Sequence, residues 1–240
     1  MITKKPYVIT EIIKETPDVS LFKFKAQDGS TLSYDPGMFV MIHYRNPQTG
    51  EEIGRAFSLA SKPDDAELEF AISMIHGRFT SHLDTANVGD VYYFSGPYGQ
   101  FKYNPTENKK VLFVAGGTGV APFLSMLRLI DEKKYDTDVK LIYSMRHPEE
   151  IIRKGELDSY KSTMKFDYVI TVTRQETDAD KSWQGEHGHV DAEMIKRHLN
   201  DTPERTCYVC GPLKFTKAVQ DALTAIGVDK SRIKADVWGE

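Results

Sequence analysis

The chain has 240 residues, 40% of them hydrophobic and 28% charged, the balance of a globular protein with one large or two small domains. Its 31 basic and 35 acidic residues leave a net charge of −4, so there is no basic surplus to drive nucleic-acid binding through phosphates. Two cysteines are too few for a disulfide framework or a four-thiolate iron–sulfur cluster, and they fit a reducing cytoplasm.

The opening MITKKPYVITEII lacks the apolar stretch of a secretion signal. Residues 1–104 then read as short strands. PYVITEIIKE, VSLFKFKA, MFVMIHYR, RAFSLAS, LEFAISMI and DVYYFSG are rich in β-branched and aromatic residues, and QDGS, DPG, NPQTG, KPDD and NVGD between them supply turn chemistry. This spacing predicts an antiparallel β-barrel or sandwich. The polar YNPTENKK (103–110) reads as a linker, which puts a boundary after residue 104.

Residues 105–240 alternate strands with helices. The strands are KVLFVAGG, DVKLIYSM, FDYVITVTR and RTCYVCG. The helices are APFLSMLRLIDEKK, PEEIIRKGELDSYK, DAEMIKRHL and LKFTKAVQDALTAIG. Alternation of this kind predicts an α/β domain with a parallel sheet and helices on both faces. The longest apolar run, VLFVAGGTGVAPFLSMLRLI, is interrupted by glycines and Pro122 and is not a membrane span.

Three stretches carry chemistry. In RAFSLAS (55–61), alternation puts Arg55, Phe57 and Leu59 on one strand face and Ala56, Ser58 and Ala60 on the other. A cation, a flat ring and a hydroxyl side by side suit a ligand better than a core. In VLFVAGGTGVAPF, a buried strand runs into Gly116-Gly117-Thr118-Gly119 and directly into a helix, with Pro122 in its first turn. Glycines let the backbone approach a ligand, and the free N–H groups of a helix start suit a pyrophosphate. In TCYVCGP, Cys207 and Cys210 form a C-x-x-C. Residues three apart on a strand face opposite ways, against a disulfide, and no further ligands cluster for zinc. Cys207 reads as core, whereas Cys210 ends its strand at the carboxyl edge, where parallel sheets bind ligands. No H-x-x-H or H-x-x-x-H spacing appears, His187 and His189 fall in a loop, and no metal site is expected.

Taken in order, DPGMFV, RAFSLAS, GRFTSHL (77–83), GPYGQF (96–101), GGTGVAP and CGP resemble the ferredoxin–NADP reductase superfamily of FAD/NAD(P)-binding flavoproteins over almost the whole chain. The resemblance implies a flavin-binding barrel joined to a pyridine-nucleotide domain. It implies that Arg55 binds the flavin pyrophosphate, in keeping with a guanidinium's bidentate fit to phosphate. Phe57 would stack on the isoalloxazine, with Ala56 beside it, and Ser58 would hydrogen-bond near flavin N5. That last role needs the strand to end or kink at Ser58. Gly77, Phe79, Thr80 and Ser81 would hold the flavin phosphates at a short helix start, although a Thr or Ser cap explains that segment equally well. The second phosphate site implies FAD rather than FMN.

On the α/β side the resemblance implies that Gly117, Thr118 and Gly119 hold the dinucleotide pyrophosphate. Cys210, with Gly211 and Pro212, would border the nicotinamide. Thr173 and Arg174 in TVTRQ match a 2′-phosphate site and lean towards NADP, while DKSWQGEHGHVD resembles the loop of NADH-using oxygenase reductases. Gly96-Pro97-Tyr98-Gly99 matches a loop near the nicotinamide pocket, and Met38 stands where the family commonly has Gln, so DPGMFV is given a structural role. The terminal DVWGE matches a Glu-x-aromatic-Gly ending with Asp236 in place of Glu and Trp238 as the aromatic near the ring. Ser58, Cys210 and Trp238 are thus the expected catalytic residues.

The implied activity is hydride transfer from NAD(P)H to FAD, with nicotinamide C4 held roughly 3–3.5 Å from flavin N5, and onward electron transfer to a carrier such as ferredoxin or flavodoxin. The alternatives are a diffusible flavin or ferric reductase, the reductase component of an oxygenase, and a non-catalytic flavin-binding electron-transfer subunit. No local motif names the acceptor, because electron-transfer docking surfaces are diffuse.

Overall fold

A computed structural model describes residues 4–238. Six strands form the first sheet: β1 (Lys5–Lys14), β2 (Val19–Ala26), β3 (Phe39–Arg45), β4 (Glu52–Ser58), β5 (Leu68–Ser73) and β6 (Val91–Tyr98). All its pairings are antiparallel, in the order β4-β3-β6-β1-β2-β5. Beyond the end of β4, the Ala60 N–H donates to the Glu69 carbonyl at 2.8 Å, which closes the sheet towards β5. Alternate residues fill the interior: Leu68, Phe70 and Ile72 of β5 join Phe22, Phe24 and Phe94 in one core. A single turn, α1 (Thr80–Leu83), caps it.

The second sheet is wholly parallel, in the order β10-β9-β8-β7-β11-β12. Its strands are β7 (Lys110–Gly116), β8 (Asp138–Met145), β9 (Phe166–Val172), β10 (Glu186–His187), β11 (Thr206–Pro212) and β12 (Ile233–Trp238). The helices are α2 (Ala121–Lys133), α3 (Lys154–Thr163), α4 (Asp178–Ser182), α5 (Ala192–His198) and α6 (Leu213–Ala225). Strands covered on both faces read as unbroken apolar runs. Val111, Phe113 and Ala115 of β7 pack with α2 residues on one face, and Leu112 and Val114 pack with α5 and α6 residues on the other. Cys207 and Cys210 fall on opposite faces, and both are free thiols. Val19, Leu21 and Ala71 of the first sheet, and Ala60 just beyond β4, share the apolar core of β7, α2 and α3. Among the described residues no helix is long and apolar enough to cross a membrane.

Three expectations change. The helix expected over 148–161 is a 3-10 turn (Pro148–Glu150), an extended Ile151, a left-handed Arg153 (φ 54°) and only then α3. The reason is burial: Ile151 and Ile152, adjacent in sequence, both enter the core, and the Arg153 N–H is drawn 2.7 Å from Glu15 Oε1 of the first sheet's β1–β2 turn. The tail read only as a family ending forms β12, parallel to β11 with Cys210 opposite Asp236 and Pro212 opposite Trp238. His187, expected in a loop, sits on β10 beside Val172 of β9. Gly239, the last position of the matched tail motif, lies outside the described residues.

Candidate active site

Strand order locates the site. From β7 the sheet grows through β8 and β9 in one direction and through β11 and β12 in the other, so the crevice at a topological switch point opens at the carboxyl ends of β7 and β11. Gly116 ends β7, and a 3-10 turn, Gly117–Val120, leads into α2 with Pro122 in its first turn. The helix starts at Ala121, where its sequence places it, with the 3-10 turn inserted between it and β7. Gly117 has φ +59° with open space around it, whereas a Cβ on Gly119 would lie 2.3 Å from the Cys210 carbonyl oxygen. Gly119 thus lets the turn press against β11. Its Cβ side faces that strand, so a side chain at 119 has no room whether or not the backbone meets a ligand.

Two adjoining clefts occupy this region. The first, about 450 Å³, includes Gly117, Thr118, Thr173, Pro212 and Phe215. The second, about 360 Å³, includes Phe39, Arg55, Ala56, Phe57, Ser58 and Asp236. Ser73, Ile75, Thr118 and Trp238 line both, so residues of both sheets form one continuous hollow.

Arg55, Ala56, Phe57 and Ser58 share a cleft although strict alternation would split them. β4 ends at Ser58, and Leu59 turns away, its N–H donating to the Met38 carbonyl at 3.1 Å. The end of the strand required at Ser58 is present. Half-buried Arg55 has no carboxylate in ion-pair range among the described residues, and its Nη1 lies 3.8 Å from the Cβ position of Gly77. The hydroxyls of Ser58, Ser73 and Thr118 also have no protein partner among the described residues. A cation and three hydroxyls, without protein partners among the described residues, line one hollow, which is the donor set that a polar, anionic ligand needs.

The GRFTSHL segment behaves differently from its sequence reading. Thr80 is 1% exposed and its Oγ1 accepts the Gly77 N–H at 2.9 Å, while the Phe79 N-cap has no side-chain cap bond. The Phe79 ring is buried against Tyr44, Phe57 and Tyr92. Ser81 is exposed and its N–H is taken by the Gly77 carbonyl at 2.8 Å. What remains for a ligand is the pair of N–H groups at Phe79 and Thr80, which have no acceptor among the described residues. Gly96–Gly99 lies off the hollow and instead supports Phe39, whose ring would be 3.2 Å from a Cβ on Gly99.

Cys210 departs furthest from expectation. It is 0% exposed and lines neither cleft. Burial pushes its thiol pKa well up, and nearby Asp236 adds to this. The thiol packs beside Trp238 in the apolar core, so what the structure displays for it is a packing position. Gly211 is buried as well, its Cα side covered by the Phe215 ring. Arg174 is exposed on the rim, paired with Glu176 at 3.3 Å, while Thr173 Oγ1 donates to the Met145 carbonyl at 3.2 Å. Asp236 lines the second cleft with its pKa raised by burial.

The sequence reading does not pick out Ser73, Ile75 and Phe215, nor Arg146, which lines the first cleft and pairs with Asp18 and Glu150. Ser73 and Ile75 sit in a run that reads only as a strand. Phe215 carries a weak signal, an aromatic placed three residues after Pro212 at a helix start.

Beside the first cleft, His147 Nδ1 lies 2.9 Å from the fully buried Asp180. Burial opposes the Asp180 charge, but N–H groups of Thr177 and Glu176 and the His147 ring outweigh it and hold the carboxyl well below its usual range. The same bond raises the His147 pKa above its usual value, against its partial desolvation. A raised histidine pKa gives stability that is complete below its unfolded value near 6.5 and lost as pH rises through the folded value. Proteolytic nicking of residues 174–183 should therefore rise several-fold between pH 6 and 9, and His147→Gln should flatten that dependence. Equal pH profiles for the two proteins would refute the coupling.

Comparison with known proteins agrees with this architecture. A family model for the oxidoreductase FAD-binding domain matches residues 6–103, and one for the oxidoreductase NAD-binding domain matches residues 113–221. The chain is 29% identical to the glycine betaine monooxygenase reductase subunit of Chromohalobacter salexigens, over 95% of this chain and 62% of that protein. It thus spans about three fifths of such curated relatives. A ferredoxin reductase in carbazole 1,9a-dioxygenase superposes with a TM-score of 0.85 at 26% identity, covering 99% of this chain and 70% of that one. The FAD/NAD-binding domain of a nitric oxide dioxygenase from Vibrio cholerae shares the fold at a TM-score of 0.87 and 22% identity, covering 98% and 99%. With an FAD-binding domain on the closed antiparallel sheet and an NAD-binding domain on the parallel one, the chain belongs to the ferredoxin–NADP reductase superfamily of flavoprotein oxidoreductases.

Proposed function

We propose that this chain is the NAD(P)H-oxidising flavoprotein unit of a reductase, with residues 1–104 holding FAD and residues 105–240 holding NADPH or NADH. The observation that carries this is the continuous hollow in which Arg55 and Ser58 of the barrel and Thr118 of the turn after β7 have no protein partner among the described residues. FAD, when bound, would supply the redox chemistry, taking one hydride (two electrons with a proton) from the dinucleotide and giving the two electrons up singly. The chain's own groups do the rest. The Arg55 guanidinium and the N–H groups of Phe79 and Thr80 neutralise the flavin phosphates, with Gly77 leaving room beside them. Phe57 and Ala56 give an apolar wall. The Ser58 hydroxyl donates a hydrogen bond where negative charge develops. Asp236, with its raised pKa, can hold a proton in the same cleft. Ile75 and Trp238 exclude water. Gly117, Thr118 and Pro212 contact the dinucleotide, and Thr173 with Arg174 at the rim meets a 2′-phosphate if one is present.

The onward acceptor is proposed as a small electron carrier such as ferredoxin or flavodoxin. A second reading, electron delivery to an oxygenase, is favoured by the names of the relatives. Cytoplasmic placement is part of the proposal and is supported by two free, buried thiols. Anaerobic titration with NADPH and with NADH, following the visible flavin band, tests the reading. Bleaching by NADPH alone supports the Arg174 assignment, and bleaching by NADH, alone or equally, removes it. No flavin band after FAD is added would refute the proposal. Arg55→Ala should weaken FAD binding about 10- to 100-fold, the worth of about 1.5–3 kcal/mol for a charge-assisted bond. Fluorescence titration measures this, and a change within twofold would take Arg55 out of the site.

A further inference from the structure

A buried ionic cluster joins the two halves away from the hollow. Glu69 of β5 is 5% exposed. Its Oε1 accepts from Arg128 Nη2 of α2 at 2.9 Å, and its Oε2 accepts from Arg153 Nη2 at 2.7 Å. Arg128 also donates from Nη1 to the Ala60 carbonyl at 2.9 Å and from Nε to Glu156 of α3 at 2.6 Å. Tyr160 donates to that same Glu156 oxygen at 2.6 Å. One barrel carboxylate is thus held from two directions by guanidiniums of the other half.

Its place in the fold gives it leverage. Along β5, Glu69, Ala71 and Ser73 share the face turned away from the barrel interior, because Leu68, Phe70 and Ile72 fill that interior. Ala71 and Ser73 line the second cleft. Along α2, Arg128 and Ala121 are seven residues apart and share a helix face, and Ala121 lines the same cleft. The strand strip is about 13 Å long and the helix strip about 10 Å. The two elements that wall the hollow at one end are clamped at the other by Glu69 and Arg128. The contact between them is otherwise apolar, Ala71 sharing a core with Ala121 and Leu124. Apolar contact is non-directional, whereas Glu69 takes one charge-assisted bond on each oxygen from two different directions, and Arg128 is itself held by a two-point fork on Glu156, an arrangement that fixes register.

We propose that Glu69 is a positioning residue whose two-sided grip by Arg128 and Arg153 sets the spacing of β5 and α2, and through it the width of the hollow between the barrel and the parallel sheet. The inference rests on the reading of that hollow as the meeting place of FAD and dinucleotide. Nothing at the cluster touches either ligand's cleft except through the two elements, so binding and reaction should separate.

The test uses the FAD-loaded protein, with wild type alongside Glu69→Gln. In the variant, FAD affinity and KM for the dinucleotide should stay within twofold, while flavin reduction at saturating dinucleotide should slow tenfold or more. A second readout does not depend on turnover. Deuterium uptake of the FAD-free chain should rise at 71–75 and 118–122 and stay unchanged in β3. If Glu69→Gln does not fold, Arg153→Gln, which leaves the Arg128 pairs intact, should slow reduction at least threefold with KM unchanged. A folded variant with wild-type limiting rate and wild-type uptake overturns the positioning role. Slower reduction that comes wholly from a raised KM also overturns it. A wild type that binds FAD but is reduced by neither dinucleotide overturns the functional reading first, and the positioning role of Glu69 with it.

Discussion

Ser58→Ala should leave FAD bound and slow its reduction by NAD(P)H about 100- to 1,000-fold, the usual cost of deleting one hydrogen-bond donor aimed at developing charge. The argument starts from the chain's path. β4 stops at Ser58, and Leu59 folds back to the Met38 carbonyl, which leaves the hydroxyl in the cleft with no protein partner among the described residues. A donor kept free in a partly closed site is already oriented before charge appears. Losing it costs the transition state more than the ground state. Stopped-flow reduction of the loaded variant, with FAD affinity measured separately, distinguishes the two. A limiting rate within threefold of wild type would show that the hydroxyl does not take part.

The second large effect is on stability. Gly119→Ala should destabilise the α/β half by about 3 kcal/mol or more, a severe case of overpacking, and lower the melting temperature by roughly 6–12 °C for a chain of this size. A Cβ at 119 would sit 2.3 Å from the Cys210 oxygen and 2.6 Å from its carbonyl carbon. Both are backbone atoms of β11, which is fixed between β7 and β12, so no side chain can swing aside. Gly117→Ala is the informative control. Its surroundings are open, and only the left-handed backbone is strained, at roughly 1–2 kcal/mol. Calorimetry should therefore show a much larger drop for Gly119→Ala. Equal melting temperatures would mean that the turn is free to lift from the strand.

How far the sequence revealed this arrangement depends on whether the controlling force was local. The barrel strands and the β7–α2 junction follow from alternation and turn residues, which act within a few positions. Arg55, Phe57 and Ser58 stood out because their types did not suit a strand buried or exposed. The break before α3 was hidden, since its cause is Glu15, far away in sequence, drawing in the Arg153 N–H. Ser73 and Ile75 were hidden because a strand end lines a cleft only when another sheet arrives beside it. Cys210 was misplaced for a related reason. Its position at the carboxyl edge was right, but β12 pairs along β11 and the thiol is fully buried beside Trp238. The two glycines of Gly117-Thr118-Gly119 looked alike in sequence, and only the approach of β11 tells them apart.

The seam between the two sheets also bears on how such chains can be recombined. Val19, Leu21, Ala60 and Ala71 come from the barrel yet lie in the core built by β7, α2 and α3. A crossover placed in the polar stretch near residue 104 looks harmless along the chain, but a barrel taken from another protein would bring a different set of side chains to that strip. Bulkier ones would wedge the halves apart, and smaller ones would leave holes under Phe123 and Leu124. A working chimera therefore has to inherit these seam residues, and Phe101 and Tyr103 just before the crossover, with the parallel sheet they fit, so the unit of exchange is not the stretch of sequence that each sheet occupies.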